Sequence, residues 1–213
     1  MKLGEIKIEA LKLMFINGSE VLLLDDLEDF ESDDNYGFYL VKMNGAINRC
    51  FSDLEMKGVL PARVHVLTYA QARVYERIFS YDISAVPMTE LLKVICENTK
   101  SGRRDVMDVD EVGYFPEEGE ILLPPIDEDE RYKLSYRPRI ERLTVLSDDK
   151  AEIDVPEHIA AIIPLYIKGD LYAEDEPNAA AEARNQYEAA CEQIKDSERS
   201  CASVNTVYAL SEI

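Results

Sequence analysis

The sequence predicts an α+β protein: N-terminal helices and a C-terminal helical hairpin form one helical domain, and an antiparallel β-rich module is inserted into it. Three observations lead there. Apolar residues recur at helical spacing in two separated stretches, residues 36–56 and 180–194. Between them, from Ala62 to about Leu146, short apolar and tyrosine-bearing runs alternate with Gly, Pro and Asp turns. The chain has 213 residues, 46% of them hydrophobic, so it can bury a sizeable core despite a net charge of −20. The expected domains are residues 1–61 with 154–196 (helical), 62–153 (β-rich), and 197–213, a polar tail expected to be flexible or to add a strand to a neighbour.

The elements follow in order. Ile6, Ala10, Leu13 and Met14 mark a first helix, stopped by Asn17-Gly18-Ser19. The acid-rich run from Asp25 to Asp34 reads as a solvated loop, because it lacks the ligand alternation and glycine turn of a calcium loop. Tyr36, Leu40, Met43, Ile47, Cys50 and Leu54 then step by 4, 3, 4, 3 and 4, one continuous apolar stripe closed by Gly58 and Pro61.

In the middle, Arg63 to Leu67 is a strand candidate, as is Arg73 to Phe79. Ser84 to Pro87 is a break, residues 91–96 are an apolar run of either type, and residues 99–104 are a polar turn. Residues 112–136 read as a β-meander. Its last strand puts Tyr132, Leu134 and Tyr136 on one face, Lys133 and Ser135 on the other, and Pro138 at its end.

Asp154 is the expected N-cap of the next helix, with Pro156 and Glu157 in its first turn. Ile159, Ile162, Ile163, Tyr166 and Ile167 form its apolar face. Pro164 lacks a backbone donor, so the helix should kink or restart there. After the turn Asp175-Glu176-Pro177, Ala180, Ala183, Tyr187, Ala190 and Ile194 line a second helix whose small residues permit close packing.

Composition narrows function. Forty-three acidic side chains oppose 23 basic ones, a surface that repels DNA phosphates and anionic membranes. The first residues lack the apolar core of a signal peptide, so a soluble cytoplasmic product is expected. Cys50, Cys96, Cys191 and Cys201 show no zinc spacing and read as free thiols. The two histidines, His65 and His158, stand in no H-E-x-x-H. Asp108 to Gly113 lacks an oxygen ligand at its fifth position and reads as a solvated turn. Lys100, Arg103 and Arg104 read as a salt-bridged loop rather than a phosphate site. With no P-loop and no nucleophile elbow, no catalytic residue, cofactor or metal is expected.

One segment is more specific. Residues 155–181 read V-P-E-H-I-A-A-I-I-P-L-Y-I-K-G-D-L-Y-A-E-D-E-P-N-A-A-A, followed by an alanine-rich helix with Tyr187-Glu188. With a helix around Met43-Asn44-Gly45-Ala46-Ile47-Asn48-Arg49 and a β-rich middle, this resembles the tailed-bacteriophage head–tail connector family, also called neck or adaptor proteins (tail tubular protein A-like). The resemblance implies a non-enzymatic virion structural protein of a phage or prophage. Such a subunit docks under the portal protein, in a ring of about twelve copies. The ring extends the DNA channel without sequence-specific binding and receives the next tail component. It also implies assembly in the host cytoplasm and residence in the virion neck. The alternatives are a cytoplasmic acidic protein–protein interaction module without catalytic activity, and an enzyme whose site is assembled from dispersed residues.

Overall fold

The computed structural model describes residues 1–15, 27, 30, 34–75, 77–115, 117–144 and 146–210; at 34, 35, 111 and 198–210 it describes the backbone alone. The chain is α+β and forms two compact units, residues 1–59 with 140–213, and residues 60–139. The expected helix stop at 17–19 and most of the acidic run 25–34 lie outside the described residues. Asp34 opens a helix.

The discontinuous unit is helical. Helix α1 (Leu3–Met14) buries Leu3, Ile6, Ala10, Leu11 and Met14. Helix α2 (Asp34–Lys57) buries the lower part of the predicted stripe, Met43, Ile47, Cys50 and Leu54, and adds Ala46 and Phe51. Tyr36 and Leu40 are only half-buried. Gly58 ends α2 with φ 62°, a left-handed conformation that costs glycine little. Its N–H bonds Glu55 O at 3.1 Å and the Val59 N–H bonds Leu54 O at 3.1 Å, the paired closure of a Schellman motif.

The second half of this unit starts differently from the expectation. Asp154 does not cap a helix. Pro156 takes that position for a single turn, α3 (Glu157–Ala160), because the residue before a proline is disfavoured in helical geometry. The helix restarts as α4 (Ile163–Leu171), with Pro164 in its first turn where no donor is missed. Helix α5 (Pro177–Leu210) follows. It continues through residues assigned to the tail, since no Gly or Pro interrupts residues 178–210. The nine-residue α4 is the centre of the unit: α1, α2 and α5 each pack against it. Gly169 permits a close approach of α4 and α5. A Cβ there would lie 2.7 Å from Arg184 Cγ and 3.3 Å from Ala180 O.

The contiguous unit is a β-sandwich. Its strands are β1 (Arg63–Thr68), β2 (Arg73–Tyr75), β3 (Ile78–Asp82), β4 (Met88–Asn98), β5 (Arg104–Met107), β6 (Gly113–Phe115), β7 (Glu120–Leu123) and β8 (Glu130–Pro138). They form two antiparallel sheets, β1-β8-β4-β5 and β2-β3-β7-β6. The run 73–79 is thus two strands, and residues 91–96 lie within the long β4. Both sheets contribute to one core, including Leu67, Phe79, Tyr81, Val94, Ile121, Leu123, Tyr132 and Leu134. The expected meander is corrected. β7 pairs with β3 and β6, whereas β8 inserts between β1 and β4 of the other sheet. Alternation defines the faces of a strand but not its neighbours. Between β7 and β8, Pro124 and Pro125 cannot donate to a ladder, and the Tyr132 hydroxyl donates to Pro124 O at 2.9 Å.

The domain boundary also differs. Residues 140–153 were expected in the β-rich module and belong to the helical unit. Their backbone groups bond there. Ile140 N–H donates to Glu55 Oε1 at 2.7 Å, and Asn48 takes both groups of Leu143, accepting its N–H and donating to its carbonyl, each at 2.8 Å. Further along, the carbonyls of Asp149 and Ala151 accept from Gly4 and Leu3, the unpaired first amides of α1.

Candidate functional site

Two polar constellations stand out, one in each unit. In the helical unit, α2 and α5 bring Cys50, Asp53, Lys57, Tyr187 and Glu188 together. The Tyr187 hydroxyl donates to Asp53 Oδ2 at 2.8 Å. Lys57 bridges Asp53 and Glu188, the latter at 2.8 Å. Cys50 Sγ lies 3.9 Å from the Tyr187 oxygen. Burial pushes the Cys50 and Cys191 thiols and the Tyr187 phenol upward. A thiol held protonated is a poor nucleophile. This cluster pins two helices, and each charge in it is spent on a neighbour.

The second constellation lies on the face of β1-β8-β4-β5 turned away from the sandwich core. Register decides its membership, because directly opposed residues share a face. One row across the strands is Thr68, Arg131, Glu97 and Arg104; the next is Val66, Lys133, Ile95 and Val106; a third holds Val64, Ser135 and Lys93. Glu97 is the centre. Its carboxylate meets Arg104 at 3.0 Å, Arg131 at 2.6 Å and Lys133 at 2.7 Å. Those cations cover it, leaving the residue 5% exposed. Hydrogen bonds from Lys133 and Arg131, joined by Arg104, hold its pKa down at about 2. At the end of the same face, Arg137 pairs with Glu90 at 2.8 Å.

One carboxylate answering three cations leaves this face positive, with exposed valines beside it: Val64 is 60% and Val106 63% exposed. The rest of the chain is the opposite. The helical unit carries 28 acidic and 12 basic side chains, the sandwich 15 and 11. The cationic sheet face therefore belongs to the less acidic unit. It presents guanidinium and ammonium groups held by ion pairs around a small apolar centre.

Of the residues weighed from sequence, Arg104 and Cys50 join these constellations and the rest fall elsewhere. His65 is half-buried on β1, opposite Leu134, and His158 is exposed in α3; the two belong to different units. Asp108 caps a 3-10 turn, accepting from Asp110 N–H at 3.2 Å. Lys100 pairs with Asp129 at 2.6 Å and Arg103 with Asp105 at 3.1 Å, so two of the three clustered cations are held in local ion pairs and the third, Arg104, reaches Glu97. Cys50, Cys96 and Cys191 are free thiols. Among the described residues, no group of three or more His, Cys, Asp or Glu side chains is arranged to hold a metal ion. Glu97 was missed in sequence because its partners lie 7, 34 and 36 positions away. The only sequence signal was that Arg131 and Lys133 share a face of β8.

No protein-family model matches the chain, and no curated protein matches it.

Proposed function

We propose that this chain is a structural subunit of a tailed-phage neck, a head–tail connector that forms a ring beneath the portal protein and extends the DNA channel. The observation that carries this reading is the place of the segment on which the resemblance rests. Residues 155–181 include α4, the hub of the helical unit, and the start of α5. The residues that resemble the family are thus those on which this unit's packing depends, as Ile163, Ile167 and Gly169 illustrate. A sandwich inserted into a discontinuous helical unit also fits it, since one body can form the wall of a ring while the other offers a docking surface. The polar clusters described above serve packing and surface charge, which suits a protein that acts by geometry.

In this reading the acidic surface repels DNA phosphates, so a genome passing through the ring slides without sticking. The test is mass spectrometry of purified phage particles from the strain that carries the gene. A connector is present at about twelve copies per particle, in fixed ratio to the major capsid protein. Its absence from intact, tailed, DNA-filled particles would overturn the reading in favour of an interaction module that acts outside the virion.

A further inference from the structure

We propose that the cationic face of β1-β8-β4-β5 is the docking surface for the acidic helical unit of a second copy of this chain. The inference rests on the ring reading. In a cyclic ring each subunit meets its neighbours through two different faces, so one face must fit another part of the same molecule. Charge complementarity selects the pair. Lys93 on this face is exposed, and Arg104, Arg131 and Lys133 outnumber the single Glu97 that they share. The helical unit bears 28 acidic side chains against 12 basic ones, the strongest excess of negative charge in the chain. Val64, Val66, Ile95 and Val106 supply apolar area that a neighbour would cover, with the cations at its margin. Glu97 acts as a spacer in this surface. It holds Arg131, Lys133 and Arg104 in fixed positions and prevents their mutual repulsion from splaying them. Rim charges of this kind steer encounter and give association a steep salt dependence.

The full chain tests this directly. Self-association is followed by sedimentation velocity at low salt and at about 1 M salt, where the screening length is about 3 Å. Equal amounts of unlabelled and nitrogen-15 protein are also mixed and coupled with a carbodiimide. We expect association at low salt that is lost at high salt. We also expect mixed-isotope links joining Lys93 or Lys133 of one copy to carboxylates in residues 1–59 or 140–213 of another. Lys93→Glu should weaken association about tenfold or more, and Val106→Thr by less, with unchanged thermal melting. A chain that stays monomeric at both salts and yields only same-copy links overturns the proposal, as does retention of a duplex DNA probe by this face without self-association. The two readings fail separately. Rings that persist unaltered in Lys93→Glu sink the surface and spare the ring. Salt-sensitive pairs that Lys93→Glu abolishes, formed by a protein absent from phage particles, spare the surface and sink the ring.

Discussion

The two units satisfy their backbones in opposite ways, and that difference governs what their side chains are free to do. In the sandwich, ladders consume the N–H and C=O groups of the strands, so outward polar side chains pair with one another, as Glu97 does with its three cations. In the helical unit, helix ends and the extended segment 140–153 leave backbone groups outside any ladder; some meet backbone, as Asp149 O and Ala151 O do with α1, and others are reached by side chains from distant positions. Lys168 and Tyr172 donate to Leu13 O and Met14 O, the last carbonyls of α1, at 2.8 and 2.6 Å. Arg184 donates to Gly169 O at 3.1 Å, and Asn44 donates to Thr144 O at 3.0 Å. Side chains thus bond distant backbone at several places in the helical unit, while the charges on the outer face of β1-β8-β4-β5 pair with one another.

This contrast can be broken most forcefully at the hub. Ile167 is fully buried in α4, so Ile167→Ala should cost about 2–5 kcal/mol. Leu134→Ala does comparable damage in the sandwich core. Urea unfolding followed by hydrogen exchange should show each substitution exposing amides of its own unit first. Equal loss of protection in both units would show that they unfold as one. Gly169→Ala tests the close approach of α4 and α5. It should cost about 1–3 kcal/mol, because the added methyl must displace Arg184 and meets the Ala180 carbonyl. A neutral effect on the urea midpoint would mean that the two helices separate readily.

Asn48→Ala removes both bonds to Leu143 and leaves its N–H and C=O without a protein partner. A loss of about 1–3 kcal/mol is expected, with faster exchange at the Leu143 amide. Asn48→Asp keeps the acceptor for that amide and should recover part of the loss. The smallest effect is expected at Glu97, and it is present at neutral pH and fades in acid. Its folded pKa is depressed, so its contribution is complete above the ordinary carboxylate pKa of about 4.3 and fades as pH falls toward 2. Between pH 5 and pH 2 the sandwich of Glu97→Gln should therefore lose less stability than that of the wild type. Parallel melting curves across that range would show that the three cations stabilise nothing through Glu97.

Much of the local structure was legible in the residues themselves. The stripe through Met43, Ile47, Cys50 and Leu54, the glycine closure at Gly58, the restart at Pro164 and the alternation of Tyr132, Leu134 and Tyr136 are encoded within a few positions of one another. Helical and strand periods repeat at that range. The α+β class follows from where those periods change. Tertiary structure alone decided that β8 joins β1 and β4 rather than β7, that residues 140–153 belong with α1 and α2, and that Glu97 gathers cations from two other strands. Each of these depends on contact between residues far apart in the chain: Asn48 lies 95 positions from Leu143, and Arg131 lies 34 from Glu97. A strand's alternation states which side is apolar, and a helix's stripe states which side is buried. Neither names the partner, because the free energy that selects it comes from packing and hydrogen bonds that exist only once the chain has closed on itself.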